Sequence, residues 1–325
     1  MDVEVRRDDL RTTRVVDGDA EGNVRIAKFA LTANNVTYGV MGDALSYWQF
    51  FPSSEEGWGR VPVWGIGEVV KTGETIYGYF PMSAAVTMTL DESLFERSEH
   101  RSSLPATYNR YMRVAPDTPH LDEMLLLRPL FGTSFLLDDY LSGDDTPVVL
   151  GSASSKTAYG LAFLLSRGGR PVIGLTSARN REFTESLGLY DRVLAYDEID
   201  ALAGEAVVFV DMSGDGAVRD GLHRSADVRR DVVVGATHWQ DLQSGTGEWQ
   251  TDFFFAPTHI EQMTERLGGD AMQQRMGEAW NALAARVGDW MKIEHGSGPD
   301  DVQRVWQALV DGDVDPRRGH VLTLL

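Results

Sequence analysis

The chain has 325 residues, with 30 Lys and Arg against 49 Asp and Glu, a formal net charge of -19. A surface that acidic repels nucleic-acid backbones and anionic bilayers, so neither is an expected partner. With no cysteine there is no disulfide framework and no thiol chemistry, and a hydrophobic fraction of 42% is that of an ordinary globular protein. Residues 1–16 lack the apolar core of a signal peptide. No apolar run approaches the roughly 18 residues that would cross a membrane, so the cytoplasm is the expected location.

Residues 1–120 read as β-rich. The run 24–31 alternates apolar and polar like a half-buried strand. A polar turn, 32–39, leads into a short helix. Residues 44–51 are densely aromatic, and 52–60 carry loop signals. The run 61–70 reads as a strand whose glycines permit close packing. Residues 71–74 turn the chain into a further strand, 76–80, and 86–90 alternate again. Residues 100–119 form a polar connector. A helical stretch then runs from 121 towards 141, with Pro129 expected to interrupt it.

The stretch 147–180 is the organising unit. An apolar run, 147–150, ends at Gly151 and a cluster of small hydroxylated residues. A helical pattern over 155–167 stops at Gly168-Gly169, and a second apolar run, 172–175, follows. This is the order and length of one βαβ unit, which leaves its strand C-termini open to ligands. Further strands are expected at 193–194, 207–211, 231–235 and 253–255. Helices are expected at 179–187, over one long stretch 259–287, and at 299–309, before a closing strand at 321–325.

The turn after the first of these strands has the chemistry of an anion site. A helix N-terminus presents unpaired N–H groups and a partial positive charge. Gly151, Ser152, Ala153, Ser154 and Ser155 let an anion approach the backbone, and Lys156 and Thr157 add a charge and a hydroxyl. The end of the second strand carries Thr176, Ser177 and Arg179 and no carboxylate. An acidic residue there would take a ribose 2′-OH, whereas hydroxyls and a guanidinium suit a 2′-phosphate. The expected cofactor is therefore NADP(H) rather than NAD(H). Asp211, which ends the fourth strand beside Ser213 and Gly214, is a further candidate on the same edge, and His238 after the fifth is another.

The same residues admit alternatives. Gly151 with Lys156-Thr157 resembles a P-loop one residue short and without its second glycine, which would make the protein an ATP-dependent phosphotransferase. G-x-S-x-G, the hydrolase elbow, is never spelled. No tyrosine has a lysine four residues later, which excludes the usual short-chain reductase pair. The seven histidines have no i, i+3 or i+4 partner histidine, so a zinc site is not expected. The aromatic group Tyr38, Tyr47, Trp48, Phe50, Phe51, Trp58 and Trp64 either lines an apolar pocket or fills the core. Tyr38 and Tyr47 are the first two candidates for a proton donor to a developing enolate, with His238 third.

Taken together, these motifs resemble the medium-chain dehydrogenase/reductase superfamily, in its zinc-free quinone oxidoreductase and enoyl reductase branch. Residues 33–38 sit where that superfamily begins its active-site turn. Residues 63–70 resemble its glycine-rich strand, 148–160 its nucleotide turn, Leu187-Gly188 its L-G-A, and 319–324 its closing strand. The superfamily's zinc-ligand cysteine and histidine positions fall at Thr37 and Val63. Its later turn glycines are replaced by Ser154, Ser155 and Thr157. The resemblance implies an α/β fold: a β-rich GroES-like catalytic domain (1–122 and 289–325) and a Rossmann-type parallel-sheet domain (123–288). It implies metal-free hydride transfer from NADPH to an activated C=C or C=O bond of a small molecule, and a homodimer paired near 253–256. The lost glycines and the absent acid–base signature keep one competing reading open: a non-catalytic NADP(H)-binding or interaction protein.

Overall fold

The computed structural model describes residues 1–115, 117–234 and 249–325. In chain order, a hairpin of β1 (Asp2–Arg6) and β2 (Thr13–Val16) precedes β3 (Val24–Leu31), whose Val24, Ile26 and Phe29 are buried while Arg25 is exposed. Helix α1 (Ala33–Val40) follows, its start fixed by the Asn35 carbonyl, which accepts the Thr32 N–H at 2.8 Å. Strands β4 (Trp58–Gly59), β5 (Pro62–Val69), β6 (Glu74–Pro81), β7 (Ala85–Val86) and β8 (Met112–Arg113) come next. Then α2 (Leu121–Tyr140) leads to β9 (Val148–Leu150), α3 (Lys156–Arg167), β10 (Val172–Thr176), α4 (Arg181–Ser186), β11 (Arg192–Ala195) and β12 (Ala206–Asp211). The remainder is α5 (Gly216–Ser225), β13 (Asp227–Val233), β14 (Asp252–Phe253), α6 (Ala256–Leu267), α7 (Gly269–Trp290), β15 (Lys292–Ser297), α8 (Gly298–Val310) and β16 (Arg318–Thr323).

The chain divides into two compact units, Met1–Leu126 with Lys292–Leu325, and Leu127–Met291. In the first, β15-β16-β3-β5-β6-β8 form one sheet with β7 beside β3, and β2-β1-β4 form a second, smaller one. Neighbours are antiparallel apart from β15 and β16, which α8 joins as a parallel pair. Phe29, Tyr79, Phe80, Ile76 and Trp306 make up much of the core. Glycine is required in β5: a Cβ on Gly65 would stand 2.8 Å from the Lys28 carbonyl, and one on Gly67 3.1 Å from the Phe80 ring.

The second unit is built on one sheet in the order β11-β10-β9-β12-β13-β14, every pair parallel. Numbered by their sequence within the unit, the strands run 3-2-1-4-5-6, the order of dinucleotide-binding sheets. β9, β10 and residues 207–211 of β12 are buried throughout, as strands covered on both faces must be. Val149, Leu175, Val207 and Phe209 pack with Leu222 of α5 and Leu202 of a 3-10 helix, Tyr196–Leu202. α3 packs on β10 and α7. The expected α/β class, a parallel-sheet unit beside a β-rich one, is the class found.

Two local expectations are corrected. α2 continues through Pro129. The proline forfeits one backbone hydrogen bond, a cost of about 3 kcal/mol, but Leu125, Leu126, Leu127, Leu130 and Phe131 are all buried around it and outweigh that loss. The long helix 259–287 is two helices, because Gly268 takes φ +82 and ψ 147, a conformation open to glycine and closed to other residues. No helix among the described residues is long and apolar enough to cross a membrane.

Candidate functional site

Strand β9 delivers the chain to the carboxyl edge of the parallel sheet between β10 and β12, where the strand order reverses. There the Gly151 N–H donates to the Val210 carbonyl at 2.9 Å, and a Cβ on Gly151 would lie 3.3 Å from the Phe209 ring. Ser152 takes φ +51, a left-handed conformation costing a non-glycine residue about 1 kcal/mol or more. The Ala153 N–H bonds the Leu175 carbonyl at 2.9 Å, and the Ala153 carbonyl accepts the Tyr190 hydroxyl at 2.7 Å. The turn is thus tied to both neighbouring strands without the later glycines of the fingerprint.

Ser155 is the N-cap of α3, its Oγ accepting from the Ala158 N–H at 3.3 Å. α3 begins at Lys156, directly after this turn, so its N-terminus stands at this edge of the sheet. Ser154 Oγ accepts from Asn180 Nδ2 at 3.2 Å, joining the turn to the end of the second strand. The Thr157 carbonyl accepts from Ser134 Oγ at 2.8 Å, and a Cβ on Gly160 would stand 2.8 Å from the same oxygen. Gly160 therefore lets α3 approach α2 closely.

At the end of β10, Thr176 is buried, and neither its Oγ1 nor Ser177 Oγ has a hydrogen-bond partner among the described residues. Arg179 stands exposed two residues on, in a short 3-10 turn, Ala178–Asn180. Tyr196, at the end of β11, was not foreseen. Its hydroxyl lies 3.4 Å from Ser152 Oγ, and burial raises its phenol pKa while the Ser152 hydrogen bond opposes. The readable signal was an aromatic residue immediately after the third strand.

Asp211 occupies this edge in a different way from the expected ligand contact. Its Oδ1 accepts the Ser213 N–H at 2.9 Å and the Gly214 N–H at 2.8 Å, and its Oδ2 accepts Arg219 Nη2 at 2.7 Å. Burial raises its pKa, against the Gly214 N–H, Arg219 and the Ser213 N–H. The carboxylate shapes the turn with all its oxygens committed to protein donors.

Tyr38 and Tyr47 belong to the first unit. They face each other with ring centroids 4.5 Å apart, packed among Phe50, Tyr79 and Tyr108. Each is 5% exposed. The Tyr38 hydroxyl accepts from Trp64 Nε1 at 3.3 Å, and the Tyr47 and Tyr108 hydroxyls are 3.3 Å apart. Burial raises all these phenol pKa values. Trp48, Phe50 and Phe51 are core residues as well, and Trp64, partly buried, packs against them. His238 falls in 235–248, outside the described residues. Among the described residues no three or more His, Asp or Glu side chains come together as a metal site.

Solved structures share this architecture. CurA from Vibrio vulnificus, in complex with NADPH, matches at a TM-score of 0.59 and 12% identity, over 97% of this chain and 94% of its own. YhdH of Escherichia coli K-12, with bound NADPH, matches at 0.57 and 12%, over 100% of both chains. The CurK enoyl reductase matches at 0.53 and 11%, over 99% of both. At these identities the likeness is one of fold, and it is the two-unit fold that the sequence resemblance implied. No curated protein matches the sequence. The family model described as "Protein of unknown function (DUF2855)" matches residues 29–315, most of the chain, and the protein belongs to that family.

Proposed function

We propose that this protein binds NADPH at the carboxyl edge of its parallel sheet and reduces an activated C=C or C=O bond of a small molecule, an enone, a quinone or an enoyl-type compound. One observation carries the reading: at the end of the second strand, whose residues 176–179 include no carboxylate, the hydroxyls of Thr176 and Ser177 have no hydrogen-bond partner among the described residues. A buried hydroxyl left without a partner costs about 1–3 kcal/mol. The phosphate oxygens of a 2′-phosphate would supply the missing acceptors, and Arg179 the countercharge. The small residues 151–155 and the start of α3 fit a pyrophosphate. Ser152 and Tyr196 flank its path. CurA and YhdH, with the same fold, were solved with NADPH, and CurK is an enoyl reductase, which supports the cofactor and the reaction class.

When bound, NADPH supplies a hydride. The chain's own part is to orient the cofactor and to provide a proton for the enolate. Tyr38 and Tyr47 are the proposed donors, because each carries a phenol O–H that is protonated at neutral pH; their burial, which raises both pKa values, weakens them as acids and sets a cost on that role. A second reading, an NADP(H)-binding protein without turnover, is favoured by the burial of those same two tyrosines. The phosphotransferase alternative keeps only Lys156 and Thr157 in its support, since the strand order is that of a dinucleotide fold.

The test is a titration with NADPH, NADH and ATP·Mg²⁺, read by quenching of the eight tryptophans and energy transfer to the reduced nicotinamide. NADPH binding, tighter than NADH and weakened by Lys156→Ala or Arg179→Ala, is expected. Failure to bind either nicotinamide cofactor would sink the proposal. Binding without turnover over a broad enone and quinone panel would select the second reading.

A further inference from the structure

Behind the carboxyl edge lies a cluster of charged side chains that the proposed cofactor site does not use. Arg219, on the second turn of α5, bridges two aspartates. Its Nη2 reaches Asp211 Oδ2 at 2.7 Å, and its Nε lies 3.2 Å from Asp231 Oδ2. The second contact is close in charge but not aligned as a hydrogen bond. Asp231 Oδ2 also meets His223 Nε2 at 2.9 Å, and the His223 ring stacks on Trp249 with centroids 4.3 Å apart. Asp211 and Asp231 are 1% and 2% exposed.

Burying two carboxylates and a guanidinium costs more than filling the same space with apolar side chains. That expense points to a role in placing groups. Asp211 holds the turn after β12 and stands near the turn after β9. Its Oδ1 holds the Ser213 and Gly214 N–H groups of the turn after β12, Gly214 being left-handed at φ +78. The same oxygen lies 3.6 Å from where a Cβ on Gly151 would stand, in the turn after β9. A dinucleotide bound across this crevice passes between those two turns.

We propose that Arg219 is a positioning residue of the crevice: held between Asp231 and Asp211, it aims the Asp211 carboxylate and so fixes the turn after β12 at the edge where the turn after β9 also lies. Arg219 touches no cofactor, and it acts only through Asp211. The inference rests on the NADPH reading above.

The experiment compares wild type with Arg219→Met, Arg219→Lys and the double variant Asp211→Asn/Arg219→Met, measuring NADPH affinity and unfolding midpoint for each. Arg219→Met leaves Asp211 buried and unpaired and is expected to lose both midpoint and NADPH affinity, the latter by at least about tenfold. Lysine, a point charge without the planar fork, restores the midpoint in part and affinity less. The double variant removes the Asp211 charge and leaves Asp231 with His223 alone, so its midpoint recovers in part while its affinity stays low. Affinity that recovers in step with the midpoint would show a purely structural role and overturn the inference. So would an Arg219→Met protein that binds NADPH like wild type. A wild type that binds no NADPH removes the reading itself, a result distinct from either.

Discussion

Thr176→Val separates what the fold wants at the end of the second strand from what the ligand wants. Valine matches threonine in shape and replaces the hydroxyl by a methyl group. Thr176 is 1% exposed and its Oγ1 has no partner among the described residues, so the fold without cofactor carries that oxygen at a loss. Removing an unsatisfied buried hydroxyl should stabilise the parallel-sheet unit by about 1–2 kcal/mol. For a unit of this size that raises its unfolding midpoint by about 2–4 °C per kcal/mol. If the hydroxyl donates to a 2′-phosphate, the variant forfeits a hydrogen bond to a charged group, about 1.5–3 kcal/mol, or roughly 10- to 150-fold in NADPH affinity. NADH, without that phosphate, should bind as before. The assays are thermal unfolding by circular dichroism and paired NADPH and NADH titrations. A lower midpoint would show that the hydroxyl is satisfied within the fold. Equal losses for both cofactors would remove the 2′-phosphate from its surroundings.

Four other outcomes are expected. Gly174→Ala should destabilise the parallel sheet by about 1–3 kcal/mol in urea unfolding, since its Cβ would stand 2.9 Å from the Ala153 Cβ and 3.0 Å from the Tyr190 ring. Tyr47→Phe breaks the 3.3 Å contact with the Tyr108 hydroxyl and should cost about 0.5–1.5 kcal/mol in the same assay, while lowering any reductase turnover far more if Tyr47 is the proton donor. Burial pushes the Tyr111 phenol up to about 12 and those of Tyr79 and Tyr108 well above their usual value, so the neutral forms favour the fold. That stability is complete below about pH 10 and is lost as pH rises through the folded pKa values; absorbance at 295 nm should show fewer than the ten tyrosines ionised at pH 11 until the chain unfolds. Finally, we propose a homodimer through the edge strand β14, where Phe253 is 56% exposed; light scattering should report a dimer that Phe253→Glu shifts to monomer, and a monomeric wild type would refute it.

The parallel-sheet unit was legible because its signals are local. Apolar runs bounded by Gly151 and by Gly168-Gly169 mark β9, α3 and β10 without reference to anything distant. The missing carboxylate after β10 is likewise a matter of four adjacent residues. The hairpin β1–β2 was harder to see, because the buried positions of β1 include Asp2 and Glu4, which pair with Arg60 and Arg14. Charged residues read as solvent-facing until their partners are known, and those partners are 58 and 10 residues away. The same reason hid Arg219, Asp231 and His223, whose meeting depends on which side of α5 faces β13. Tyr38 and Tyr47 were readable as aromatic and not as packed, since Tyr79 and Tyr108, which close around them, come from later segments. The break at Gly268 turns on one backbone angle that the flanking helical pattern conceals.

The discontinuity of the first unit has a consequence for biosynthesis. β3 pairs on one side with β5, from Ala30 with Trp64 to Val24 with Val69, and on the other with β16, where Leu31 meets His320. Trp306, fully buried, donates its indole N–H to the Leu10 carbonyl at 2.8 Å across a separation of 296 residues. As the chain leaves the ribosome, the parallel-sheet unit, continuous in sequence, has all its strands available while the β-rich unit still lacks β15, α8 and β16. The N-terminal strands must therefore wait with the edge of β3 open and the seat of Trp306 empty through the synthesis of the whole intervening unit. An open strand edge is a template for pairing with other chains. β7 covers the Val24–Arg25 end of that edge early, so it is the Phe29–Leu31 end that stays unpaired until β16 is made.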